Sequence, residues 1–74
     1  MITRIANTLG ERAYYHGYNL ATASTKKAKQ EAGDQMDELA AITTELMLGG
    51  CLSVCERDYV MEQYQKGVDD GNNI

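Results

Sequence analysis

The sequence predicts an all-α protein, a small antiparallel bundle of one long and two shorter helices that self-associates. Three observations carry this. Proline, tryptophan and phenylalanine are absent from the 74 residues, while good helix formers such as alanine, leucine, methionine, glutamate, glutamine and lysine are plentiful. Apolar residues recur at three- and four-residue steps, and β-branched runs of the kind that form strands are missing. Glycines fall where helices would end or touch.

The first helix is expected over residues 3–32. Ile2, Ile5, Leu9, Ala13, His16 and Leu20 share one of its faces. A second stripe of small residues lies beside them: Ala6, Gly10, Ala13, Gly17, Ala21, Ser24 and Ala28. It repeats every eleven residues, as in Ala6, Gly17 and Ala28, and so stays on one side of a nearly straight helix. Each interior glycine costs roughly 0.5–1 kcal/mol against alanine, a cost that a close helix contact explains.

Gly33 followed by Asp34 predicts a stop and a new N-cap. A second helix follows over residues 35–48, with Met36, Leu39, Ala40, Ile42, Thr43, Leu46 and Met47 on its apolar face. Gly49 and Gly50 end it. Ser53 and Glu56 form a capping-box pattern that starts the third helix, expected over residues 54–68. Its apolar face is Val60, Met61, Tyr64, Gly67 and Val68. Residues 1–69 make one domain, and residues 70–74 a polar tail that frays.

A core in a chain this short rarely supplies more than about 3–5 kcal/mol. Self-association is therefore expected, through the small-residue stripe or through the apolar run of residues 46–55. Those ten residues are too few for a membrane span, so no membrane partner is expected. No basic segment followed by an apolar stretch opens the chain, which implies no signal peptide. The protein is read as cytoplasmic, in the host cytoplasm if phage-encoded, with both thiols reduced.

The net charge of −4 is unevenly spread. Residues 1–30 carry Arg4, Arg12, Lys26, Lys27 and Lys29 against Glu11 alone, whereas residues 31–74 carry Arg57 and Lys66 against ten carboxylates. Either the halves complement each other, within the fold or between subunits, or the acidic part faces a basic partner.

One short pattern occurs twice, fifty residues apart: Tyr14-x-x-Gly17-Tyr18-x-x-Ala21 and Tyr64-x-x-Gly67-Val68-x-x-Gly71. A tyrosine and a glycine three residues on share a helix face. Crossing helices could let each tyrosine cover the other helix's glycine. Gly10, Tyr14, Gly17, Tyr18, Ala21, Tyr64 and Gly67 are accordingly the candidate interaction residues. The stretch Arg12-Ala13-Tyr14-Tyr15-His16-Gly17-Tyr18 resembles the opening of the ribosome modulation factor family. That resemblance implies a second glycine-aromatic helix near the C-terminus. The family is strongly basic because it binds ribosomal RNA; this chain is acidic, and no function is carried across.

No catalytic residue, cofactor or metal is expected. His16 sits in an apolar stripe without a spacing-defined partner. Cys51 and Cys55 fall short of the four ligands zinc wants. Residues 69–73 lack the spacing and closing glutamate of a calcium loop. No phosphate-loop or nucleophile-elbow motif is present. Lys26, Lys27 and Lys29 form a small basic cluster without interleaved aromatics. The expected function is a protein-interaction module, not an enzyme: a modulator or inhibitor that binds another protein, of the accessory type found in phages and mobile elements. The alternatives are a ribosome- or nucleic-acid-associated factor and a structural subunit of a larger assembly.

Overall fold

The structure is a computed structural model that describes residues 2–74. Its three helices are α1 (Arg4–Thr22), α2 (Lys26–Leu48) and α3 (Val54–Asn72). The all-α expectation holds; the boundaries differ in three places.

The expected long first helix is broken. Residues 22–25 read Thr-Ala-Ser-Thr, and short hydroxyl side chains offer the backbone alternatives to helical hydrogen bonds. Ala23 leaves the helix with extended dihedrals. The Thr25 side chain then caps α2 by accepting from Ala28 N at 3.0 Å. Gly33, expected to stop a helix, lies inside α2. The helices are 19, 23 and 19 residues long, so the pattern of one long and two shorter is replaced by three of similar length.

The second boundary is as expected. Gly49 N donates to Glu45 O at 2.9 Å, and Gly50 takes a φ of +83°, which favours glycine. The capping box forms: Ser53 Oγ accepts from Glu56 N, and the Glu56 carboxylate accepts from Ser53 N, both at 3.1 Å. The third difference is the tail. Residues 70–72 continue α3, and Gly71 is buried.

The core joins Ala6, Leu9 and Ala13 of α1, Met36 and Leu39 of α2, Leu52 of the turn and Val60 of α3. Val60 is fully buried, worth about 1.5–3 kcal/mol for a side chain of its class. Thr43 is also fully buried, and its hydroxyl donates to Leu39 O at 2.7 Å.

α1 and α3 run parallel. Thr3 bonds to Glu56, Asn7 to Tyr59 and Tyr14 to Asp70, so residue numbers rise together along the pair. The first and third helices run in the same sense in any three-helix bundle whose successive helices alternate in direction.

Candidate functional site

The seven candidate interaction residues all lie at the α1–α3 contact. A Cβ added at Gly17 would overlap the Tyr64 carbonyl oxygen and stand 3.0 Å from Val68 N. A Cβ at Gly67 would overlap the Tyr14 carbonyl oxygen and stand 3.0 Å from Tyr18 N. The two copies of the motif thus seat on each other reciprocally. It is the tyrosine backbone, not its ring, that covers the opposite glycine. Ala21 meets Gly71, where an added Cβ would stand 2.7 Å from Ala21 Cβ. Gly10 lies under the Tyr59 ring. The part of the small-residue stripe that lies in α1, from Ala6 to Ala21, is spent inside the protomer, whereas Ser24 is exposed and Ala28 belongs to α2.

The fifty-residue spacing extends beyond the motif. The N-caps are Thr3 and Ser53, and both helices then run 19 residues. The pair therefore has an approximate two-fold relation that superposes α1 on α3. It is imperfect at Gly10, whose counterpart is the larger Val60.

Two polar links lock the pair. The Glu56 carboxylate accepts from Thr3 N at 3.0 Å and from Thr3 Oγ1 at 2.5 Å as well as from Ser53 N. One carboxylate thus serves the N-termini of two helices. The Thr3 hydroxyl first, then the backbone N–H groups of Ser53 and Thr3, lower its pKa to about 2, against the opposing effect of burial. At the other end the Tyr14 hydroxyl donates to Asp70. That bond, followed by burial and the Asp70 charge, raises the tyrosine pKa above its ordinary value. Neither link is visible as a motif; the signal that could have found them is the fifty-residue offset applied to the whole helix.

Two surfaces remain outside this contact. The first is the end of the bundle where α1 begins, α2 ends and α3 begins. Ile2, Leu48 and Val54 are 37%, 78% and 62% exposed there, with Cys51 and Cys55 also exposed. Residues 46–55 contain no charged side chain. The second surface is the outer face of the α1–α2 seam. Arg4, Ile5, Thr8, Leu9 and Arg12 line a groove of about 330 Å³. Arg12 also opens a neighbouring groove of about 260 Å³, with His16, Glu38 and Ile42 among its lining. His16 is half-buried there, and Ile5 and Ile42 stay 51% and 44% exposed.

Among the described residues the two oppositely charged parts of the chain do not pair directly. Among the described residues the one ion pair joins Arg57 to its neighbour Asp58 at 3.6 Å. Lys26, Lys27 and Lys29 stand exposed in the first turn of α2, not at the end of a long first helix. Among the described residues no three His, Cys, Asp or Glu side chains group as metal ligands. No described helix is long and apolar enough to cross a membrane. Comparison with protein-family models, with curated proteins and with solved structures gives no match for this chain.

Proposed function

We propose that the protein is a protein-interaction module, a small modulator or inhibitor that acts by binding another protein. The observation that carries this reading is the end of the bundle formed by the uncharged run of residues 46–55. Packing α1 on α3 uses up the part of the small-residue stripe that lies in α1, yet Ile2, Leu48 and Val54 stay exposed together. Large apolar side chains gathered at one place on a small acidic protein are a docking surface. Size, acidity and the lack of reactive groupings fit an accessory protein of the kind phages and mobile elements carry. We also infer that α1 and α2 are antiparallel neighbours. Arg12 and His16 share a groove with Glu38 and Ile42, whereas Asn19 and Thr22 share one with Ala28 and Glu31.

The test is affinity capture from the native host with wild type and with Leu48→Glu/Val54→Glu. The wild type should retain one protein in stoichiometric amount, and the folded double variant should lose it. Equal capture by both would refute a role for this end.

A second reading, a nucleic-acid- or ribosome-associated factor, is favoured by one observation. Three lysines occupy the first turn of α2, where the helix dipole disfavours cations and a phosphate would relieve the repulsion. Three phosphate contacts would give a slope of about −2 to −3 in log affinity against log salt. An apolar protein interface shows little such dependence.

A further inference from the structure

We propose that the outer face of α1 and α2 is a self-complementary surface on which a second copy of this chain docks about a two-fold axis. This gives the self-association expected from the sequence a surface different from the end assigned to the partner protein. It rests on the α1–α2 neighbour relation inferred above.

α1 presents Arg4 and Arg12 in one groove with the exposed Ile5, which directly follows Arg4. The arginines are eight residues apart, about 12 Å along a helix. α2 presents Glu38 and Glu45 on either side of the exposed Ile42. These are seven residues apart, about 10 Å. One helix thus carries cation, isoleucine, cation; its neighbour carries carboxylate, isoleucine, carboxylate.

The register matches as well. Arg12 and Glu38 line the same groove. With α1 and α2 running in opposite senses, stepping back eight residues from Arg12 on α1 and forward seven from Glu38 on α2 reaches the same level. Arg4 therefore lies level with Glu45. Among the described residues of a protomer none of these four forms an ion pair, although the chain holds eleven carboxylates.

Consider two copies face to face, related by a two-fold axis along the helices between α1 and α2. Each α1 then lies over the α2 of the other copy. Arg12 faces Glu38 of the second copy, and Arg4 faces Glu45. Ile42 of both copies then lies between the two charged pairs, with Ile5 beside the Arg4–Glu45 pair. An isologous interface requires one patch to be its own complement, and a row of each sign on adjacent helices meets that requirement. A foreign partner would need no such self-match, which is why the second copy is the assigned occupant.

The test is charge exchange, read by sedimentation equilibrium. Wild type should be dimeric. Arg12→Glu alone, and Glu38→Arg alone, each place two repulsive contacts in a homodimer and should weaken it at least about tenfold. Mixed one to one, the two variants should restore a dimer, because a heterodimer of an Arg12→Glu copy and a Glu38→Arg copy has opposite charges at both contacts. A purely intramolecular role for either residue cannot produce that rescue. Monomeric wild type, single variants that stay dimeric, or a mixture that stays monomeric would each overturn the proposal. Leu48→Glu/Val54→Glu should remain dimeric. If that variant dissociates while Arg12→Glu does not, the dimer forms at the bundle end, and this proposal fails independently of the partner-binding reading.

Discussion

Replacing Gly67 by alanine adds one methyl group to α3 at the point where it meets α1. The new carbon would lie 2.8 Å from the Tyr14 carbonyl carbon and 3.0 Å from Tyr18 N, and closer still to the Tyr14 oxygen. Non-bonded carbons prefer about 3.5–4.0 Å, and these neighbours are backbone, which cannot turn aside as a side chain can. The helices must separate, and overpacking of this kind costs about 1–3 kcal/mol. Alanine's better helix propensity returns about 0.5–1 kcal/mol. The midpoints of these ranges leave a net loss of about 1 kcal/mol, or about 4–8 °C in melting temperature for a domain of this size. Gly33→Ala is the matched control. It too lies inside a helix, but an added Cβ there meets nothing within 4 Å, so only the propensity gain remains and the melting temperature should rise. Circular dichroism melts, with sedimentation to check the mass, compare the two. Gly17→Leu should act as Gly67→Ala does, more strongly. If Gly67→Ala melts at or above wild type, the helices part freely, and close backbone contact is not what joins α1 to α3.

Three further outcomes are expected. The folded-state pKa of Glu56 is depressed to about 2, so its contribution to stability is complete above its ordinary value near 4.5 and is lost as pH falls from there toward 2; Glu56→Gln should remove that part of the acid dependence in denaturant titrations. The Tyr14 pKa is raised, so its contribution is present below pH 10 and lost as pH rises through the folded-state value; Tyr14→Phe should flatten alkaline unfolding, and an unchanged profile would count against the Asp70 bond. Cys51 and Cys55 are both exposed, so both should react with a thiol reagent in the native protein; Cys51→Ser/Cys55→Ser should melt within about 0.5 kcal/mol of wild type, as surface changes do.

The parts of the fold that follow from local chemistry were legible in the sequence. The Ser53–Glu56 capping box and the Gly49-Gly50 turn each need only a few neighbouring residues. The break at residues 23–25 was not legible. Thr25 lacks a glutamate three residues on, and the lysines that follow it are the reverse of the charges helix starts favour. Gly33 misled because a glycine stops a helix only if the chain leaves it; here the chain continues. The extension of α3 brings Gly71 against Ala21 of α1; the repeat pairs those two positions, but the polar residues around Gly71 read locally as a tail. The Tyr-x-x-Gly repeat did reveal which residues meet. It could not show that the helices approach closely enough for a carbonyl, rather than a ring, to fill the notch. The bundle end was visible as the uncharged run of residues 46–55. The α1–α2 face was hidden, because Arg12 and His16 come to share a groove with Glu38 and Ile42 only once the chain turns at residues 23–25.

The parallel pairing of α1 with α3 also governs when the protein can fold. Most small helical proteins are built from contacts between adjacent segments and fold quickly for that reason. Here the tightest contact joins residues about fifty apart, and it cannot form until residues 53–72 exist. A nascent chain that has emerged only as far as α2 holds Gly10, Ala13 and Gly17 with nothing to cover them, and Thr3 without the carboxylate that caps it. Once α3 is made, α2 joins it to α1 in one chain, so the two meet at an effective concentration set by the length and stiffness of that link. What could have been an encounter between two molecules becomes closure within one, and its completion is independent of how much protein the cell contains.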